Sequence, residues 1–361
     1  MQLAIPYMHF RGGSSKGLFF NAADLPSNEE QRNEMVLAAM EGLGLGDERQ
    51  IDGLGGGTSL TSKVAVVSLA NEPGVDIDYL FLQVVVGKGV VSAGQTCGNI
   101  LAGVVAFAIE AGLLKAHTGH TTATVRMVNT GGICEVTVET PGGLVNYAGD
   151  AKVDGVPGTA APVICNYLHI EGATCGALLP TGSVADVING IEVTCIDNGM
   201  PSVLVRAADL GITGYETPAQ LDGNLTLKKT LESLRLAAGP LMRLGDVRDK
   251  TVPKMCIVSP PTHGGVINTR TFIPHVCHEA IGVLGATSVA AGCLIAGTIA
   301  WQTCAALPED GTVSVEHPAG EFTVMFETQL ENGTMVIRRS GVVRTARLLS
   351  KGLVYIPEGR Y

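Results

Sequence analysis

The spacing of hydrophobic and polar positions predicts the same series of elements in each half of the chain. An apolar run ending in "ADL" predicts a strand, and a helical pattern follows in "NEEQRNEMVLAAMEGLGL" and in "LTLKKTLESLRLAAGPLM". A second strand is predicted after Lys63 and after Lys254, and closing hairpins are predicted near each end. Two stretches, 98–114 and 278–300, are apolar on all sides, which predicts buried helices.

Four pairs of similar segments occur in the same order, which indicates an internal duplication. The two members of each pair are roughly 180 to 190 residues apart. The matched residues are Ala22 with Ala207, Lys63 with Lys254, Cys97 with Cys277 and Val125 with Val313. The duplication predicts two halves, 1–185 and 186–361, with Lys63 and Cys97 in the first half and the active site in a cleft between them.

This mixture of elements predicts an α+β fold made twice, with a curved, mostly antiparallel sheet around a central buried helix in each half. The stretch 280–301 is uncharged over the length of a membrane span, about 20 residues. Its Gly, Ala, Ser and Thr content suits a tightly packed central helix equally well. We therefore expect this stretch to be buried within the protein.

The charge of the chain excludes one class of partner. The net charge is −10 with 24 Lys and Arg residues, and no basic run provides the surface that a nucleic acid needs. Small acids remain possible ligands, because a few cations and helix N-termini can concentrate in one cleft. The nine cysteines contain no C-x-x-C pair, and the N-terminus has no signal-peptide pattern, so we expect reduced thiols, a cytoplasmic location and no membrane partner. No stripe of residues in the sequence indicates an interface between copies of the chain, and a homo-oligomer remains possible.

Cys97 is the first candidate for chemistry. The segment "GQTCGNILAG" places it at the start of the first buried helix, where backbone N–H groups favour a thiolate. Gly98 allows a ligand to approach the backbone closely, and Asn99 offers both a donor and an acceptor. The alternative is a buried thiol with a structural role.

Three turns could hold anionic groups. Lys63 follows "GLGGGTSLTS", a Gly- and hydroxyl-rich turn that ends at Ser62 and resembles an anion nest without the order of a P-loop. The turn "FRGGSSKG" carries Ser15 and Lys16, and "CIDNGMPS" carries Asn198 at the corresponding place in the second half. Ordinary turn chemistry and a solvated lysine are the alternatives.

Arg270 and His278 are the remaining candidates in the second half. Arg270 could bind a carboxylate with two parallel hydrogen bonds close to the second buried helix. His275 and His278 flank Cys277, but they lack a second ligand cluster at zinc spacing, so we predict no metal. The Gly-Asn pair that follows the first cysteine is His-Glu here, which argues against a symmetric two-thiol racemase.

Eight segments resemble those of the 4-oxalomesaconate tautomerases, in the methylaconitate isomerase group of the diaminopimelate epimerase-like superfamily. They are "MHFRGGSSKG", "QIDGLGGGTSLTSKVAVVS", "GQTCGNILAGV", "GALLPTG", "EVTCIDNGMPSVLV", "VPKMCIVS", "NTRTFIPHVCHEAIGV" and "VRTARLL". The resemblance implies two related α+β halves, each with a central helix, and no cofactor. It implies that Lys63 and Cys97 are the proton-transferring pair. The departure from the second cysteine motif of diaminopimelate epimerase leaves Cys277 and epimerisation outside the resemblance.

The activity implied by the resemblance is a cofactor-free 1,3-proton shift that converts 4-oxalomesaconate, a small tricarboxylate, between keto and enol forms in gallate degradation. Lys63 would be the general base and Cys97 the group that donates or relays the proton, or the roles reverse with direction. The residues expected to hold carboxylates are Ser15, Lys16, Ser62, Gly98, Asn99, Asn198, Arg270 and His278. Two alternatives stay open: a methylaconitate or aconitate isomerase, and a non-catalytic accessory protein of a dehydratase.

Overall fold

The computed structural model describes residues 2–309, 311–331 and 334–357. The chain divides into two compact units: the first unit is Met1–Tyr167 with Val343–Tyr361, and the second unit is Leu168–Val342. The sequence predicts a boundary between the halves at residue 185, and it does not indicate that the C-terminal segment belongs to the first unit. The C-terminal segment belongs to the first unit because the last strand pairs with the first strand of the chain.

The first unit is built on a mostly antiparallel sheet. Its strands are β1 (Gln2–Gly12), β2 (Ser15–Asn21), β3 (Lys63–Leu69), β4 (Ile77–Val85), β5 (Val90–Ser92), β6 (Gly119–Met127), β7 (Gly132–Thr140) and β8 (Pro162–Leu168). The order is β1–β2–β3–β4–β6–β7–β8, with β5 paired to β4. The pairs β2–β3 and β4–β6 are parallel. The last strand of the chain, β16 (Thr334–Pro357), pairs with β1 from residue 346 onward.

The described residues of the first unit form three α-helices: α1 (Glu29–Glu41), α2 (Gly98–Leu101) and α3 (Val104–Glu110). The side chain of Asn28 accepts a hydrogen bond from a backbone N–H of the first turn of α1 and so caps it. The apolar α2 contacts β1, β2 and β3, and α3 contacts β3 and β7, so the sheet curves around these two helices. The sequence predicts one helix over 98–114, whereas the structure has two helices here, α2 and α3, separated at Gly103.

The second unit repeats this topology. Its elements are β9 (Asp186–Ile188), β10 (Ile191–Asp197), β11 (Pro201–Arg206), α4 (Pro218–Gly223), α5 (Leu225–Leu241), β12 (Lys254–Ser259), β13 (Ile267–Phe272), α6 (Val283–Leu294), α7 (Ile299–Thr303), β14 (Thr312–His317) and β15 (Gly320–Glu331). The order is β15–β14–β13–β12–β11–β10–β9. The pairs β11–β12 and β13–β14 are parallel, at the places where β2–β3 and β4–β6 are parallel in the first unit. The predicted duplicated α+β fold is therefore confirmed.

The buried helix of the second unit starts later than the sequence predicts. The expected helix over 278–300 is α6, with α7 after it, and α6 begins after Gly282, whose backbone is extended. Cys277 lies before the helix and forms an isolated bridge with Phe272. In the described part of the chain no helix is long and apolar enough to span a membrane.

Side chains on the two faces of the first sheet have different neighbours. Val64 and Val66 of β3 pack in one core with α1. Residues alternate between faces along a strand, so Lys63 and Ala65 lie on the opposite face. Phe19 is paired with Ala65 and its ring centre lies 5.7 Å from that of Phe107 in α3. We call this opposite face, which looks toward α2 and α3, the inner face.

Candidate functional site

Lys63 is the first residue of β3 and lies on the inner face. Only 7% of it is exposed, its Nζ donates a hydrogen bond of 2.8 Å to Oε1 of Gln83, and Nζ lies 5.2 Å from the ring centre of Phe81. The Nε2 group of Gln83 donates to three backbone carbonyls, so the amide oxygen must face the lysine. Lys63 is thus held in place by one acceptor, and its Nζ has a further N–H group for a substrate.

Cys97 is the residue that precedes α2, as the sequence predicts. It is half-buried, and its backbone is extended. Its carbonyl oxygen accepts hydrogen bonds from the hydroxyl of Tyr79 at 3.1 Å and from the N–H of Leu101 at 3.0 Å. Burial raises the pKa of Tyr79 well above its ordinary value, which keeps the hydroxyl protonated as a donor. The peptide group that carries the thiol is therefore fixed from two sides.

One strip of β4 connects the two residues. Tyr79, Phe81 and Gln83 alternate along the strand and share the inner face. Gln83 holds Lys63 at one end of the strip, and Tyr79 holds the peptide of Cys97 at the other end. The predicted pair is therefore oriented by one strand of one unit.

The turn between β1 and β2 packs directly on Asn99. A Cβ atom at Gly13, whose φ is +51°, would lie 2.1 Å from Oδ1 of Asn99, and one at Gly12 would lie 2.3 Å from the Asn99 carbonyl oxygen. Nδ2 of Asn99 donates to the hydroxyl of Ser14 at 3.2 Å. The hydroxyl of Ser15 is buried and has no hydrogen-bond partner within the described residues. Glycine is required here for close contact, and Ser15 keeps a polar group available for a ligand.

The parallel pairing of β2 and β3 brings two predicted turns together. The N–H of Lys16 donates to the carbonyl of Leu60 at 2.9 Å, and Gly17 is paired with Lys63. The hydroxyl of Ser62 is fully buried and donates to Oε1 of Gln50 at 2.7 Å. Ser62 thus has a partner within the protein, and its role in binding a carboxylate stays a prediction.

Arg344 is a buried cation that the sequence did not single out. It lies on β16 in the first unit and is 6% exposed. Burial lowers its pKa to about 10, while the charges of Tyr167, Cys165 and Cys97 act in the opposite direction. The segment "VRTARLL" contains this arginine, and its place between the buried apolar residues Val342 and Ala346 on the same face of the strand was the signal available for it.

In the second unit, Asn198 fastens the turn between β10 and β11 to α6. It is completely buried, its backbone N–H donates to the hydroxyl of Ser288, and its Nδ2 donates to the carbonyl of Thr287 and the hydroxyl of Ser340. Its Oδ1 has no hydrogen-bond partner among the residues described. Asn198 therefore has a structural role, and its contact with a substrate stays a prediction.

Arg270 lies on the α5 side of its sheet. It is paired with Ile257, which belongs to the core packed against α5. Its Nε donates to the carbonyl of Glu216, and its Nη1 donates to Oδ1 of Asn268. Because these acceptors belong to the protein, a carboxylate-binding role for Arg270 stays a prediction.

Cys277 and His278 also have partners within the second unit. Cys277 is 3% exposed, its N–H donates to Oδ1 of Asp222, and burial raises the pKa of its thiol to about 11. Nδ1 of His278 accepts a hydrogen bond from the N–H of Ala280, and burial lowers the pKa of this imidazole. No cluster of His, Cys, Asp and Glu suited to a metal ion occurs in the described residues.

Comparisons with known proteins agree with the resemblance of the sequence segments. The chain matches the PrpF protein family over residues 2–357. It is 52% identical over 353 residues to the (4E)-oxalomesaconate Delta-isomerase of Novosphingobium sp. strain KA1, covering 97% of each chain. It is 52% identical over 356 residues to the 4-oxalomesaconate tautomerase of Pseudomonas putida KT2440, covering 98% of this chain and 97% of that protein.

The fold is also that of a solved relative. The crystal structure of methylitaconate-delta-isomerase superposes with a TM-score of 0.87 at 31% sequence identity and covers 100% of this chain and 98% of that chain. The family match spans nearly the whole sequence, and the relatives that cover it are named isomerases and tautomerases. This chain belongs to the PrpF family.

Proposed function

We propose that this protein is an isomerase that interconverts the keto and enol forms of 4-oxalomesaconate by a 1,3-proton shift. One observation carries the proposal: Lys63 and Cys97 are both oriented from the inner strip of β4. Two relatives at 52% identity, both named for oxalomesaconate, support the choice of substrate. Gallate degradation as the pathway, a cytoplasmic location and a homo-oligomer are parts of the same proposal.

The reaction needs a base at one carbon and an acid at another. Neutral Lys63 takes the proton from the carbon next to the carbonyl or along the allylic system, and the electron pair of that C–H bond forms an enolate or dienolate. Cys97 gives its thiol proton to the other end of the conjugated system, or the two residues exchange roles in the reverse direction. The proton that Lys63 gains balances the one that Cys97 loses, and proton exchange restores both groups.

The remaining groups of the first unit stabilise negative charge. The Ser15 hydroxyl has no protein partner among the described residues and can donate to a substrate carboxylate. Arg344 is a buried positive charge of the first unit, and a buried cation favours negative charge in its surroundings. The proposed set of carboxylate-binding residues also includes Lys16, Ser62, Gly98, Asn99, Asn198, Arg270 and His278.

A second candidate is an allylic isomerase of the methylaconitate or aconitate type. The similarity to methylitaconate-delta-isomerase, with a TM-score of 0.87, favours it as the alternative. The same base and acid would serve, since both reactions move one proton between the ends of a three-atom unit. The two candidates differ in the substrate, which an assay separates directly.

The test is ultraviolet monitoring of oxalomesaconate tautomerisation by wild type, Lys63→Met and Cys97→Ser. Lys254→Met is the matched control, because Lys254 begins β12 at the place where Lys63 begins β3. We expect both site variants to lose at least about a hundredfold in kcat, the range typical of a general acid or base. The control should retain the wild-type rate, and solvent deuterium should enter the product. Near wild-type rates in both site variants would refute the mechanism, and turnover of aconitates alone would refute the substrate.

A further inference from the structure

The first unit contains a cavity that the proposed reaction does not use. Its volume is about 270 Å³, and it lies between the β1–β16 pair and the segment 147–160. The groups that give it chemical character are two guanidinium groups, two threonine hydroxyls, an aromatic ring and a proline. These belong to Arg11, Arg347, Thr159, Thr345, Tyr147 and Pro157.

The two arginines stand side by side without a carboxylate. Arg11 is directly paired with Arg347 in the β1–β16 register, so both side chains lie on one face. Like charges in this position destabilise a sheet. No ion pair of either arginine occurs in the described part of the chain. Burial and the charge of Arg347 lower the pKa of Arg11, which shows the repulsion that a bound anion would remove.

Arg11 is held in a fixed position before any ligand binds. Its Nη1 donates to the carbonyl of Gly13 at 2.8 Å and to the carbonyl and hydroxyl of Thr345 at 3.0 Å. Its Nε and Nη2 have no acceptor among the described residues. Arg347 is exposed and forms no hydrogen bond to the described residues, so its guanidinium can turn toward a ligand. A guanidinium group has N–H donors that point in parallel, which suits a carboxylate because it accepts two parallel hydrogen bonds.

We propose that this cavity binds a small organic dianion, a dicarboxylate held between Arg11 and Arg347. Two positive charges match two carboxylates, and the walls formed by Tyr147, Val156 and Pro157 suit the carbon chain that joins them. A cavity of about 150 Å³ admits benzene, so this larger one has room for a diacid of about four to six carbons. The site requires neither Lys63 nor Cys97 and goes beyond the proposed function.

The experiment is isothermal titration calorimetry with succinate, glutarate and inorganic phosphate as probes. The proteins are wild type, Arg347→Gln, Lys63→Met and Lys229→Gln. Lys229 is an exposed lysine of the second unit, and its variant controls for the loss of one positive charge. We expect Arg347→Gln to weaken dicarboxylate binding at least tenfold, because an exposed side chain without protein partners can be replaced without unfolding. Lys229→Gln should bind within twofold of wild type, and phosphate should bind more weakly than succinate.

Three results would overturn the inference: no binding of either dicarboxylate to wild type, unchanged binding to Arg347→Gln, or phosphate binding as tightly as succinate. Binding that survives Arg347→Gln but is lost in Lys63→Met belongs to the candidate catalytic site and equally counts against this cavity. None of these readouts uses turnover, so failure here is distinguishable from failure of the proposed reaction.

Discussion

The position of Lys63 depends on the absence of a side chain at Gly17. A Cβ atom at Gly17 would lie 2.2 Å from the carbonyl oxygen of Lys63 and 2.7 Å from its carbonyl carbon. To reach ordinary contact, that first distance must rise to about 3.4 Å, so Gly17→Ala separates β2 from β3 by about 1.2 Å at Lys63, the proposed base. Overpacking of this kind costs about 1–3 kcal/mol, which a domain with a stability of about 5–15 kcal/mol survives.

The expected effect on the reaction is easier to measure than the effect on folding. A misplacement of about 1 Å in a reacting group costs about a hundredfold, so kcat/KM for oxalomesaconate should fall by that factor while Tm falls by only a few degrees. Gly223→Ala is the matched control, because a Cβ atom there meets nothing within 4 Å. It should keep wild-type kcat/KM. The reasoning fails if Gly17→Ala shows kcat/KM within threefold of wild type and an unchanged Tm.

Two further predictions concern cysteines of the second unit. Cys277→Ser should keep kcat/KM within twofold, because Cys277 is 3% exposed and the proposed proton transfer uses Cys97, and a tenfold loss of kcat in a folded variant would contradict this. The hydrogen bond from the Cys293 thiol lowers the pKa of Cys304 to about 7, so its alkylation by iodoacetamide, followed by peptide mass spectrometry, should rise with pH through about 7 as thiolate forms. A midpoint near the ordinary thiol value of 9 would rule out that hydrogen bond.

The sequence predicted the parts of this molecule that rest on repeated patterns. Lys63 and Lys254 begin equivalent strands, and each of those strands is parallel to the strand before it in the sheet. The place of Cys97 immediately before a buried helix was also predicted correctly. These features are local or repeated, so hydrophobic periodicity and duplicated segments contain the information needed to find them.

The helix boundaries and the supporting residues depend on contacts that a single sequence does not display. Gly282 precedes α6 with no side-chain cap, so nothing marks the true start of that helix after Cys277. Gly103 interrupts the first buried helix where a Cβ atom would lie 2.8 Å from the ring of Phe19, a contact between distant segments. Gln83 was the residue that could have been found, because it is an amide side chain in the otherwise apolar run 80–85 of β4.

The locked amide of Gln83 has a consequence for the whole catalytic cycle. Three carbonyls engage its nitrogen, so it can offer Lys63 only an acceptor. An amine that has given up one proton still has two N–H groups and can keep donating to that acceptor. In the proposed reaction the same hydrogen bond therefore forms before and after proton transfer, and Lys63 keeps one position throughout.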